Sequence, residues 1–147
     1  MATSTFNHLF DSSLDDVAEA TKKAMAWLRH QGIDTELAGR TELVLAEALN
    51  NVVEHGYQFK KTGDVELQIA FCSSEVDITI RDQGRELGQI PCKKDMDRGE
   101  LALDELPEGG FGWFLIHEMT SKIEYKHSRG KNILSLRLSA EHPSFAQ

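Results

Sequence analysis

The residues best suited to chemistry lie between Glu42 and Gly56. Glu47, Asn51 and His55 recur there at every fourth position. Ala, Leu and Glu favour helix, so the spacing predicts one helical stripe carrying a carboxylate, an amide oxygen and an imidazole. Asn costs roughly half a kcal/mol relative to Ala inside a helix, so its presence asks for a reason. Such a stripe can hold a metal ion and orient a hydroxyl. Magnesium takes hard oxygen ligands and keeps several waters, so Asn51 can supply one ligand beside phosphate oxygens. Asn50 is adjacent, but the spacing from Glu47 favours Asn51. Glu47, one turn away, is a candidate general base for a water or hydroxyl that attacks a terminal phosphate. His55, one turn further on, can touch a phosphate. Taken singly, a histidine at a helix C-terminus is already explained by the macrodipole, and E-x-x-x-N also describes a solvated polar face.

Two more segments carry chemical signals. Asp82-Gln83-Gly84 follows a strand of β-branched residues. A buried carboxylate at a strand end must be paired, and an adenine amino group is one suitable donor. Gly84 permits close backbone approach or a positive φ. A lone D-x-G is also an ordinary acidic turn. The third segment is Gly109-Gly110-Phe111-Gly112-Trp113-Phe114-Leu115-Ile116. Glycines ahead of a helix expose backbone N–H groups at the positive end of its dipole, which suits an anion. The same pattern also fits a hinge followed by a core helix. No Lys-Ser/Thr follows, which excludes a P-loop, and the Rossmann G-x-G-x-x-G is absent.

The elements that must position these residues are readable from periodicity. Thr5 to Phe10 alternate as an edge strand. Ser12-Ser13-Leu14-Asp15-Asp16 starts a helix with a Ser cap and acids in the first turn, and Gly32 ends it. Asp34 caps a second helix, expected to run to about His55 and stop at Gly56. Val65, Leu67, Ile69 and Phe71 alternate with polar residues, as do Val76, Ile78 and Ile80, which predicts a hairpin through Cys72-Ser73-Ser74-Glu75. A second hairpin covers Lys122 to Lys126 and Asn132 to Leu138, turning at Ser128-Arg129-Gly130. The tail, 139–147, is expected to fray. Helices with one apolar stripe and strands with one apolar face specify an α+β fold. The expected form is a two-layer α/β sandwich, a mostly antiparallel sheet covered on one face by helices.

The totals narrow the function. The chain has 147 residues, 40% hydrophobic and 27% charged, as expected for one domain with a real core. The net charge is -8 and no basic block stands out, which argues against nucleic-acid binding. An acidic protein that binds an anionic nucleotide must place its donors locally. Cys72 and Cys92 form no metal-binding spacing and read as thiols of a reducing compartment. No signal peptide and no membrane-spanning run is visible, so no membrane association is expected and the cytoplasm is the expected location.

Together the three segments resemble the N, G1 and G2 boxes of the GHKL ATPases. Glu47-Ala48-x-x-Asn51-x-x-x-His55-Gly56-Tyr57 is followed by Asp82-x-Gly84 and then Gly109-Gly110-x-Gly112-x-x-Leu115-Ile116. The short chain and the E-A-x-x-N form are most similar to the bacterial anti-sigma factor serine/threonine kinases. The resemblance implies a single Bergerat-fold ATP-binding kinase domain over 1–147, with ATP and magnesium (Mg2+) bound between helices and sheet. It implies Asn51 as magnesium ligand, Glu47 as base, Asp82 as adenine reader with Gly84 beside it, and His55 near phosphate. Gly110 and Gly112 would belong to a phosphate-binding lid spanning about 85–110. It further implies phosphorylation of a small STAS-like anti-anti-sigma protein, a sigma factor as second partner, and a homodimer. A non-catalytic nucleotide-binding anti-sigma or adaptor module is the competing reading. Two positions depart from the family: Glu86 stands where a second glycine is common, and the Gly-Thr before the last strand is Gly130-Lys131-Asn132.

Overall fold

Alternating strands and capped helices assemble as the periodicity predicts. A computed structural model describes residues 3–58, 63–87 and 110–141. The elements in order are β1 (Ser4–Asp11), α1 (Leu14–His30), α2 (Thr35–Asn51), β2 (Asp64–Cys72), β3 (Glu75–Asp82), α3 (Gly110–Met119), β4 (Lys122–Ser128) and β5 (Lys131–Ser139). The strands form one antiparallel sheet in the order β1-β2-β3-β5-β4, which places β1 at an edge as expected. The segment 88–109, most of the expected lid with Cys92 and Gly109, lies outside the described residues, as does the tail from 142.

Local chemistry sets the helix ends. Ser13 Oγ accepts from the Asp16 N–H at 3.2 Å, and Asp34 Oδ2 accepts from the Glu36 and Leu37 N–H groups at 3.1 and 3.2 Å. Helix α1 ends in a Schellman motif. Gly32 takes φ +90°, the Ile33 N–H donates to the Leu28 carbonyl, and the Gly32 N–H donates to that of Arg29. The β4–β5 hairpin turns on Arg129 and Gly130, with φ of 54° and 76°, the two positive values a type I′ turn requires.

The core lies between the helices and one sheet face. Leu67, Ile69, Ile78, Ile80, Leu134 and Leu136 point up from the sheet to meet Leu28, Leu45, Leu49 and Ile116 from the three helices. The opposite face carries cross-strand ion pairs, Glu66 with Arg81 and Asp77 with Arg137. This is the two-layer α+β sandwich of the sequence reading. Among the described residues, no helix is long and apolar enough to cross a membrane.

One element departs from expectation. Helix α2 stops at Asn51, and Val52–Gly56 form a π-helical turn instead of continuing the α-helix to His55. The cause is tertiary. The Tyr57 hydroxyl donates to the Asp64 carbonyl at 3.0 Å and accepts from the Gln83 N–H at 2.8 Å. The Gly56 carbonyl accepts from the Arg85 N–H at 2.8 Å. These anchors fix the chain just past the helix, and the wider turn closes through the Tyr57 N–H and the Val52 carbonyl. Such turns interrupt α-helices at functional sites in many proteins.

Candidate functional site

The site is built on the C-terminal half of α2. Glu47 and Asn51 share one face of that helix, as their spacing requires. His55 lies one turn further on, in the π-turn rather than in α2. That corrects the expected α-helical run to about His55, which gives way to the π-turn after Asn51.

Asn51 is buried, 4% exposed, and its side-chain Nδ2 has no hydrogen-bond partner among the described residues. His55 Nε2 is likewise shut from solvent without a partner among the described residues. Leaving a buried polar group unpaired costs about 1–3 kcal/mol. Two such groups near one helix end point to a ligand that binds there. An amide turned over at its Cγ presents oxygen where it presented nitrogen, and an oxygen ligand suits a hard cation.

Helix α3 meets the stripe at Glu47. Gly112 lies in the first turn of α3, and a Cβ added there would collide with Glu47 Oε2. The glycine thus makes room for the carboxylate. Because the colliding atom is the tip of a flexible side chain, Gly112→Ala is expected to leave thermal stability nearly unchanged. Displacing Glu47 by about 1 Å should lower any reaction that depends on it on the order of 10²-fold. Thermal unfolding and turnover measured on the same sample check this.

The Asp82 loop meets the other end. A Cβ on Gly84 would lie 2.7 Å from the Gly56 carbonyl oxygen, and one on Gly56 would lie 3.8 Å from Asp82 Oδ1. Gly84 is needed for close approach rather than for positive φ. Asp82 is 6% exposed; its Oδ1 accepts from Asn132 Nδ2 at 2.8 Å and from the Gly84 N–H at 2.9 Å. Burial pushes its carboxyl above the usual carboxylate range, while the Asn132 and Gly84 hydrogen bonds and the His127 imidazole hold it down.

Each sequence candidate therefore has a place. Glu47 touches the Gly112 position, the Asp82–Gly84 loop closes against Gly56, and Asn51 lies on α2 between these contacts. Gly110 begins α3. Among the described residues, no group of three or more His, Cys, Asp and Glu could hold a metal ion. The sequence reading quoted Tyr57 and Asn132 within motifs but gave neither a role, and it passed over Tyr125. The signal for Asn132 was available: it falls in phase with Leu134, Leu136 and Leu138, a polar residue at a core register position.

Known proteins share this fold. A family profile described as Histidine kinase-like ATPase domain matches residues 10–138. A protein of Oceanobacillus iheyensis named Serine-protein kinase RsbW is 26% identical over 127 residues, 85% of this chain and 79% of that protein. Its namesake in Halalkalibacterium halodurans is 30% identical over 91 residues, 60% of this chain and 55% of that protein. Among solved structures, the RsbU and RsbW domains of Rv1364c from Mycobacterium tuberculosis share the fold with TM-score 0.58 at 16% identity, over 92% of this chain and 32% of that one. With the profile matching nearly the whole length and the sheet and helices arranged as described, this chain belongs to the histidine kinase-like ATPase domain family.

Proposed function

We propose that the chain is an ATP- and magnesium-dependent protein serine/threonine kinase of the anti-sigma factor type. Its substrate is a serine or threonine on a small STAS-like anti-anti-sigma protein, and a sigma factor is the second partner in the switch. The observation that carries this reading is the meeting of three distant segments on α2: the Glu47 carboxylate against Gly112, the buried Asn51 amide with its unpartnered Nδ2 one turn along, and the Asp82–Gly84 loop against Gly56. The relatives named as serine-protein kinases support the class of reaction.

In this reading residues 1–147 act as one ATP-binding unit. Asp82 accepts a hydrogen bond from the adenine amino group. The N-terminus of α3, with Gly110 and Gly112, offers backbone N–H groups to the phosphates. His55 Nε2 gains a phosphate oxygen as its missing partner. The Asn51 amide oxygen would hold a magnesium ion, which when bound would supply charge neutralisation on the triphosphate. Glu47 orients the partner's hydroxyl and takes its proton as the hydroxyl oxygen bonds to the γ-phosphorus. The bond from that phosphorus to the β,γ-bridging oxygen breaks, and ADP leaves. Positioning and electrostatics supply most of the catalysis in such transfers, so these few side chains suffice.

The test is incubation with γ-labelled ATP, magnesium and a STAS-like partner bearing a serine or threonine. Label on the partner's hydroxyl is expected, and calorimetric binding of ATP should strengthen when magnesium is present. Tight stoichiometric partner binding without label transfer would instead assign the chain as a non-catalytic adaptor, the reading that Glu86 and Lys131 favour.

A further inference from the structure

Asn132 is buried and lies in one row of the sheet with the groups it contacts. Register pairing sets Asp82 opposite Asn132 and His127 opposite Asn132, so β3, β5 and β4 place the three side by side on the inner face. Asn132 Nδ2 donates to Asp82 Oδ1 at 2.8 Å, to the Gly84 carbonyl at 3.0 Å and to the Arg85 carbonyl at 3.3 Å. Its Oδ1 accepts from the Tyr125 hydroxyl at 3.1 Å and from His127 Nδ1. Turning the amide over would aim its oxygen at three acceptors, so only one orientation is allowed. The Tyr125 hydroxyl in turn accepts from the Leu87 N–H at 2.9 Å. The β4–β5 hairpin thus grips the Asp82 loop from Asp82 to Leu87.

This grip constrains the chemistry of Asp82. Oδ1 is saturated by Asn132 and the Gly84 N–H, whereas Oδ2 makes no hydrogen bond with a described residue. The carboxylate cannot rotate without breaking both bonds. It therefore presents one acceptor oxygen in one direction. An amino group satisfies such an oxygen, and a carbonyl is repelled by it. Adenine carries an amino group at the position where guanine carries a carbonyl.

We infer that Asn132 is the positioning residue that makes the site select adenine over guanine, by clamping Asp82 so that Oδ2 stands as a lone acceptor. The inference rests on the nucleotide-binding reading above and deepens it. Asp82 by itself is not sufficient for selection. Burial favours its neutral acid, which can donate to a guanine carbonyl, and the Asn132 bond opposes that change.

The test compares magnesium-ATP and magnesium-GTP binding by calorimetry in the unaltered protein, Asn132→Ala and Tyr125→Phe. A hydrogen bond to a charged group is worth roughly a factor of ten or more. Asn132→Ala is expected to lower the ATP-to-GTP preference about tenfold, chiefly through lost ATP affinity. Tyr125→Phe leaves Asp82 untouched, removes one of the two donors that hold Asn132 Oδ1, and should shift the ratio the same way by about threefold. It also keeps the inference testable if Asn132→Ala does not fold. ATP and GTP weakening in equal proportion, with the ratio unmoved in the variants that fold, would show a purely structural clamp and overturn the inference. Failure of the unaltered protein to bind either nucleotide is a separate result, and it overturns the nucleotide site along with this inference.

Discussion

Glu47→Gln is expected to slow phosphoryl transfer to the partner by about 10²–10⁴-fold while magnesium-ATP binds within a few-fold of the unaltered protein. Glutamine keeps the size and reach of the side chain, so the contact with the Gly112 position survives. What it loses is the ability to take a proton. A positioned general base contributes about 10²–10⁴-fold, so the rate should fall into that range. Single-turnover transfer from labelled ATP gives the rate, and calorimetry on the same preparation gives the affinity. The two readouts separate roles. A residue that merely braced α3 would tolerate the isosteric amide, leaving binding and transfer both unchanged. Full transfer activity in Glu47→Gln would remove the base assignment and leave the hydroxyl to be activated by some other group.

The second large effect is expected at Gly84. A Cβ there would lie 2.7 Å from the Gly56 carbonyl oxygen and 2.8 Å from its carbon, both backbone atoms. Neither can swing away as a side-chain tip can. Gly84→Ala must push the loop off the π-turn and strain the Arg85–Gly56 hydrogen bond of 2.8 Å. Overpacking of this kind costs about 1–3 kcal/mol. For a chain of this size the melting temperature should fall roughly 3–10 °C. Because Asn132 and Gly84 N–H together orient Asp82, nucleotide affinity should fall as well, by about tenfold. Circular dichroism melting and ATP titration check the two effects. Unchanged melting and unchanged affinity would mean the loop does not close on the turn in solution. The comparison with Gly112→Ala is informative. Both glycines make room, but one faces backbone and the other the end of a mobile side chain, so one substitution should cost stability and the other mainly rate.

Much of this was legible in the linear chain because it depends on near neighbours. Ser13, Gly32 and Asp34 act within one turn of their own position, and caps of that kind can be read from residue type. Strand alternation in β2, β3 and β5 shows which face is buried without reference to any partner. Glu47 and Asn51 share a face because both lie within one α-helix, whose period is invariant. His55 shows where that logic ends. Its place depended on whether α2 continued, and the answer came from Tyr57 and Gly56 gripping residues 64, 83 and 85. Local propensity favoured the α-helix; contacts from distant segments outweighed it.

Asn132 marks the same boundary from the other side. Its phase with Leu134, Leu136 and Leu138 was visible, but its meaning was not. Strand order decides that β5 lies between β3 and β4, and so decides that one amide can reach Asp82, Tyr125 and His127 at once. A one-residue slip in either pairing would send that amide to the open face.

The residue types and their spacings alone determined which groups are available, which helix or strand bears each one, and which side of that element is apolar. Only the tertiary structure decided that α3 brings Gly112 to Glu47, that Gly56 and Gly84 meet backbone to backbone, and that Asp82 is held from one side by Asn132. The physical reason is range. Capping and periodicity act over a few residues along the chain, whereas these contacts join positions dozens of residues apart, through core packing and strand register that no short window contains.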